Sequence, residues 1–285
     1  MNSKLKLWTQ LGLGTALAGG LLAACGGEAG GEAGAAGEAG GESAAVAGEG
    51  EGGAGGEGTG GEAAGGEGEG GVAVAKADSD PVTYGIALAV TEAHVVAARD
   101  AFAAGKKDAA AEMFAHPASE VLVEMDPVFA KLGVKDFKPL LTDASVAVSD
   151  GKGAAEVNQR YEAIIAALRG ASTKAPAGEA SAAQVATGII ADQIERASAM
   201  FRMIAKDDRY EPYLDGYGFA RVAESEFARS GAAIKAENPD AHARITEALA
   251  LLKQAYPAAT RPAKLAVEPG ALSAASSKVM LAAGS

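Results

Sequence analysis

Residues 181–204 read SAAQVATGIIADQIERASAMFRMI and carry both a helix start signal and a helical apolar stripe. Ser181 and Gln184 stand three residues apart, as in a capping box, where each side chain satisfies a backbone N–H of the first turn. Apolar side chains then recur at spacings of four, three, four and three, at Ile190, Ile194, Ala197, Phe201 and Ile204. These spacings place the five side chains on one face of an α-helix. The segment therefore predicts a helix that packs along that face.

Two other positions carry a helix start signal. Asp80 precedes Pro81 and Asn238 precedes Pro239, and a capping side chain followed by proline is typical of a first turn. The helix after Asp80 places Ile86, Val90, Ala93 and Ala97 on one face, and the helix after Asn238 does the same with Ile245, Leu249 and Leu252. Strand patterns are nearly absent. The sequence predicts an all-α bundle of about six to seven helices over residues 79–262, followed by a tail over residues 263–285.

The bundle shows a weak internal repeat at an offset of 103 residues. This offset aligns Gly85-Ile86 with Gly188-Ile189, Glu92 with Glu195, and Arg99 with Arg202. In each copy the Glu and the Arg lie seven residues apart, which is two helical turns on the same face. We therefore predict two related halves, over residues 79–170 and 181–257.

Residues 26–71 differ sharply in composition from the rest of the chain. They hold 22 glycines and 10 glutamates, with no Lys, Arg or aromatic residue. The whole chain carries −12, this segment −10 and the first 25 residues +2, so residues 72–285 carry only −4. Because such a segment cannot bury enough apolar surface to offset its conformational entropy, we predict a disordered tether over residues 25–78.

Charge and cysteine content exclude several classes of protein. No basic face is visible, and an acidic tether repels phosphate, so no nucleic-acid partner is expected. The chain has a single cysteine, which excludes a disulfide framework and a multi-cysteine metal cluster.

The N-terminus has the pattern of a bacterial signal peptide. Lys4 and Lys6 precede a largely apolar run, which ends in Leu22-Ala23-Ala24-Cys25-Gly26. This ending resembles the lipobox of bacterial lipoproteins, which implies a signal peptide over residues 1–24 and lipid attachment at Cys25. The resemblance also implies a membrane anchor at the periplasmic face of the outer membrane, because Gly26 replaces the aspartate that often retains lipoproteins in the inner membrane. A transmembrane helix with an incidental cysteine is the alternative.

Candidate metal ligands cluster on the second predicted helix. Glu112, His116, Glu120 and Glu124 recur every four residues, so they form one stripe if the helix continues through Pro117. Imidazole and carboxylate groups suit iron and other transition metals. Glu112, His116 and Glu120 are therefore the candidate ligands. A solvated polar face, with Pro117 starting a new helix, is the alternative.

Two further features admit structural interpretations. The segment 210–219 places three tyrosines within eight residues, beside Glu211 and Asp215, and suits either a helix corner or a ligand pocket. His94 lies beside Val95 and Val96, which favours a packed histidine, and His242 lies among charged neighbours in a first helical turn.

Two segments carry a family resemblance. Ala109-Ala110-Ala111-Glu112-Met113-Phe114-Ala115-His116-Pro117, followed by Glu124-Met125-Asp126-Pro127, is similar to the second helix of imelysin-like proteins, and Gly218-Phe219-Ala220-Arg221-Val222 is similar to their Gly-Phe-His-Arg-Ile segment. The family includes periplasmic lipoproteins of iron uptake. Its histidine positions correspond to Val121 and Ala220, so its metal site and the peptidase activity once assigned to it do not carry over. The resemblance implies a helical fold and a periplasmic setting.

These observations predict a membrane-anchored, non-catalytic lipoprotein whose helical domain binds a metal ion, such as iron, or a small ligand. No enzyme is expected, because no nucleophile with a matching base is recognisable. The alternative is a tethered helical scaffold that contacts another envelope protein and has no small-molecule site.

Overall fold

The computed structural model describes residue 72 and residues 74–284, and in these residues it contains helices and no strand. The predicted all-α bundle is confirmed. The predicted signal peptide, Cys25 and most of the predicted tether lie outside the described residues. Nine helices occur within the described part of the chain, more than the predicted six to seven: α1 (Pro81–Ala103), α2 (Lys107–Glu120), α3 (Leu122–Leu132), α4 (Lys138–Ser149), α5 (Ala154–Ser172), α6 (Ala182–Ile204), α7 (Glu211–Glu237), α8 (Pro239–Ala255) and α9 (Pro269–Ala283).

The three predicted helix starts are confirmed. The Asp80 side chain accepts a hydrogen bond from the Val82 N–H at 3.0 Å. Ser181 Oγ accepts from the Gln184 N–H at 3.0 Å, while Gln184 Oε1 accepts from the Ser181 N–H at 2.9 Å. Asn238 Oδ1 accepts from the Ala241 N–H at 2.9 Å. Each cap involves residues close in sequence, which is why the sequence alone identifies it.

The helices form two rings of four helices each. In the first ring, α1 packs against α2 and α5, and α4 packs against α2 and α5, with the short α3 extending α2. In the second ring, α6 packs against α7 and α9, and α8 packs against α7 and α9. The rings meet where α1 packs against α6 and α7.

The segment predicted as a tail supplies the fourth helix of the second ring. This helix, α9, begins at Pro269 and runs through Gly270 to Ala283. Proline is tolerated in a first turn, because its missing N–H would have no partner there. Pro269 therefore starts this helix and does not interrupt it. The second half of the bundle extends to α9 instead of ending at residue 257.

The folded part also begins before residue 79. Val72 is 5% exposed and Ala77 is fully buried, and the carboxylate of Asp78 lies 2.5 Å from Lys131 Nζ on α3. The last residues of the predicted tether therefore pack against the helical domain.

Equivalent glutamates make equivalent contacts in the two rings. Glu92 on α1 accepts two hydrogen bonds from the Arg169 guanidinium on α5, at 2.7 and 2.5 Å. Glu195 on α6 accepts a hydrogen bond from Ser276 on α9. In both rings the glutamate therefore joins the first helix to the fourth.

The arginines of the repeat also contact the fourth helix of their ring. The Arg99 guanidinium lies 4.6 Å from the ring centroid of Tyr161 on α5. Arg202 Nη1 donates to Ser273 Oγ on α9 at 3.3 Å. The position of α9 relative to α6 therefore matches that of α5 relative to α1.

Helix α1 lies at the centre of the bundle. It is long and apolar enough to cross a membrane by length and composition, and 72% of its most apolar 18-residue window is buried within the fold. Its partners are α2, α3, α5, α6 and α7. A helix enclosed on all sides is apolar all round. A polar side chain on α1 therefore bonds either to a backbone carbonyl of its own helix, as Thr91 does with Ala87, or to a neighbouring helix.

Candidate functional site

His94 is the polar side chain at the centre of the candidate site. It lies on α1 and is 2% exposed. Its Nδ1 lies 2.8 Å from the Val90 carbonyl oxygen, one helical turn earlier. Since a carbonyl oxygen only accepts hydrogen bonds, Nδ1 carries the proton. The lone pair is then on Nε2, the nitrogen that faces away from its own helix.

The surroundings keep His94 neutral. Burial lowers the pKa of His94 to about 4, and electrostatic interaction with His116 and Arg196 acts in the same direction. A neutral imidazole whose Nδ1 donates to a backbone carbonyl is the usual form of a histidine metal ligand. His94 therefore presents a fixed nitrogen lone pair.

Helix α2 brings two more candidate ligands to His94. One ligand atom from each of His94, His116 and Glu120 lies within 4.8 Å of the others. Donor atoms bound about 2.1 Å from a common ion lie roughly 3 to 4 Å apart. Glu120 is exposed, so its side chain is free to change rotamer when an ion binds. We call these three residues the His–His–Glu cluster.

The hairpin between α1 and α2 explains why the two histidines meet. Gly105 has a φ of 77°, a conformation that favours glycine, and lies in the turn between the helices. His94 stands eleven residues before Gly105 and His116 eleven residues after it. Equal distances from the turn bring residues side by side in an antiparallel helical hairpin. The two rings have centroids 6.3 Å apart.

Helix α2 continues through Pro117, and this keeps His116 and Glu120 on one face. It breaks only at Val121, with φ −115° and ψ −54°, before α3 begins. The alternative prediction, a new helix that starts at Pro117, is therefore wrong. The break comes four residues later, where the Val121 N–H donates to the Pro117 carbonyl at 3.2 Å.

One predicted ligand lies elsewhere. Glu112 is exposed and is not part of the cluster, although it lies one turn from His116 on α2. The third member of the cluster is His94 and not the predicted Glu112. The apolar neighbours Val95 and Val96 favour a packed histidine. The equal spacing of the two histidines from Gly105 is the sequence signal that indicates their proximity.

Helix α7 covers the other side of the two histidines. Asp215 Oδ1 lies 3.6 Å from His94 Nε2, and Glu211 Oε1 lies 3.7 Å from His116 Nε2. Phe219, two turns from Glu211, sets its ring edge-on to His94, with centroids 5.8 Å apart. These contacts fix the orientation of the His94 ring from the α7 side.

The tyrosine-rich segment begins α7, and its three tyrosine hydroxyls bond to other segments of the fold. The hydroxyls of Tyr210 and Tyr213 donate to the carbonyls of Ala259 and Ala258, each at 2.7 Å. Tyr217 donates to Asp100 at 2.8 Å. The three tyrosines therefore anchor neighbouring segments, while the two carboxylates among them face the histidines. His242, the third histidine, packs beside Phe227, with ring centroids 4.9 Å apart.

A groove between α4 and α5 is a less suitable ligand site. It has a volume of about 550 Å³ and is lined by residues that include Leu140, Asp143 and Arg160. The Arg160 guanidinium already pairs with Glu156 at 2.9 Å. The groove contains none of the three residues of the His–His–Glu cluster.

Comparison with protein-family models, with curated proteins and with solved structures finds no significant match for this chain.

Proposed function

We propose that this protein is a lipid-anchored, non-catalytic protein of the cell envelope whose helical domain binds a transition-metal ion. The observation that carries the proposal is the convergence of His94, His116 and Glu120 within 4.8 Å. Two imidazoles and one carboxylate suit ferrous iron, zinc and related ions. Ferrous iron is the first natural ligand to test, because imidazole and carboxylate ligands suit it.

The position of the cluster favours reversible binding. The His94 side chain is 2% exposed, whereas that of His116 is 26% exposed and Glu120 is an exposed residue. An ion bound here has buried ligands on one side and solvent on the other. Water or an incoming carrier can therefore reach the ion, as an uptake or transfer protein requires.

Replacing His116 by alanine is expected to weaken metal binding by at least about 100-fold, since even loss of a supporting group costs 10- to 100-fold. The full-length chain is titrated with Zn²⁺ and Co²⁺, and anaerobically with Fe²⁺. The Co²⁺ absorption spectrum reports nitrogen and oxygen coordination. One ion per chain is expected.

Glu112→Gln is the matched control, because Glu112 shares α2 but lies outside the cluster. The affinity of the Glu112→Gln variant for each metal ion should equal that of the unmodified chain. Both variants keep the ten glutamates of residues 26–71, so weak binding by that segment cancels in the comparison. Equal affinities of His116→Ala and the unmodified chain would contradict the proposed site.

The membrane anchor is tested separately at Cys25. Because the chain has a single cysteine, Cys25→Ser should abolish incorporation of labelled palmitate and release the protein from the membrane fraction. Radiolabelling followed by membrane fractionation measures both effects. Label retained by Cys25→Ser would contradict lipid attachment at this residue.

A further inference from the structure

Two carboxylates on α7 face the two histidines of the His–His–Glu cluster one to one. Asp215 lies 3.6 Å from His94, and Glu211 lies 3.7 Å from His116, in each case from carboxylate oxygen to Nε2. Glu211 and Asp215 are four residues apart, so they lie on the same face of α7. Each carboxylate therefore lies beside a different histidine of the α1–α2 hairpin.

These carboxylates come from the second ring, whereas the three clustered residues come from the first. Helix α7 reaches α1 closely at this point, because Gly218 lies against the backbone of Ala93, the neighbour of His94. A Cβ atom at position 218 would lie only 2.3 Å from the Ala93 carbonyl oxygen. The missing side chain thus allows the α7 carboxylates to come within reach of the histidines.

The two pairs differ in exposure. The side chains of His94 and Asp215 are each 2% exposed, while those of His116 and Glu211 are 26% and 41% exposed. The inner pair is held within the core, and the outer pair meets solvent together with Glu120. An ion between the helices would therefore have buried groups on its inner side and solvent-exposed groups on its outer side.

We propose that Asp215 and Glu211 complete the coordination of the ion, so that metal binding joins the two four-helix rings through α7. This inference rests on the proposed function and adds its ligands and its consequence for the fold. Asp215 and His94 form the permanent inner ligands, and Glu211 and Glu120 are the outer carboxylates that exchange as the ion enters or leaves. Two imidazoles with three carboxylates suit a divalent or trivalent ion of iron, manganese or zinc better than Cu⁺, which prefers sulfur ligands.

The test measures Zn²⁺ and Co²⁺ affinity of the full-length chain carrying E211Q or D215N. We expect about 10-fold weaker binding for E211Q and about 100-fold for D215N, as the exposed and the buried ligand respectively. E224Q is the control on the same helix, because Glu224 pairs with Arg221 at 2.7 Å. This variant is expected to leave the metal affinity unchanged. Glu211 is half-exposed, so E211Q tests the proposal even if D215N fails to fold.

Amide hydrogen exchange gives a second readout. Zn²⁺ should slow exchange in residues 211–218 of the unmodified chain, and E211Q should reduce this protection. If the unmodified chain binds one ion but E211Q and D215N bind it equally well, α7 supplies no ligand and this inference fails alone. If the unmodified chain binds no ion, the proposed function fails with it.

Discussion

Replacing Gly218 by alanine is expected to destabilise the protein by about 3 kcal/mol, near the upper end for overpacking a well-packed contact. The added Cβ would lie 2.3 Å from the carbonyl oxygen of Ala93 and 3.2 Å from the Cβ of Ala97. A backbone carbonyl cannot rotate away as a flexible side chain does, so α1 and α7 must separate. Thermal and urea unfolding followed by circular dichroism measures the loss.

The same variant should also weaken metal binding. Gly218 lies three residues after Asp215, and separation of the helices lengthens the 3.6 Å distance between Asp215 and His94. Zn²⁺ titration of the folded variant at low temperature checks this effect.

Gly170→Ala is the matched control for the helix. Gly170 lies within α5, and a Cβ built there would meet no heavy atom within 4 Å. Alanine inside a helix is favoured over glycine by roughly 0.5 to 1 kcal/mol, so this variant should be slightly more stable than the unmodified chain. Unfolding of Gly218→Ala at the same denaturant concentration as the unmodified chain would contradict the close approach of α1 and α7.

The features that the sequence predicts correctly depend on short segments of chain. The cap at Ser181 involves residues three positions apart, and the apolar stripe from Ile190 to Ile204 is fully buried or nearly so. Helix geometry alone sets these relations, because neighbouring turns bring fixed positions onto one face. The all-α fold and its helix starts therefore follow from local patterns.

The composition of the candidate site depends on how helices pack, which local patterns do not specify. Spacing of four residues makes Glu112 and Glu120 equivalent partners of His116, yet only Glu120 lies beside α1. Asp215 is 121 residues from His94, and a close helix contact at Gly218 brings them together. Local spacing predicts that His116 and Glu120 share a face, and the equal spacing of the two histidines from Gly105 indicates that His94 lies beside His116. The carboxylates on α7 are placed beside them only by the fold.

Replacing Leu272 by alanine is expected to destabilise the protein by about 3 kcal/mol, within the usual range for a buried Leu. Leu272 lies on α9 and is fully buried. Helix α9 closes the second ring against α6 and α8, so the cavity forms inside that ring. For a domain of this size such a loss lowers Tm by roughly 6 to 12 °C, which differential scanning calorimetry detects readily.

Leu281→Ala provides the same change on the same helix at a different exposure. Leu281 is 76% exposed, so its loss should alter stability by no more than about 0.5 kcal/mol. A large difference between the two variants would establish that α9 packs as the fourth helix of its ring, as α5 does in the first. If both variants unfold like the unmodified chain, residues 263–285 form a dispensable tail, and the second half ends near residue 257 as its sequence pattern predicts.

The repeat favours a large loss of stability for Leu272→Ala alone. Glu195 and Arg202 both bind serines of α9, just as Glu92 and Arg99 contact α5 in the first ring.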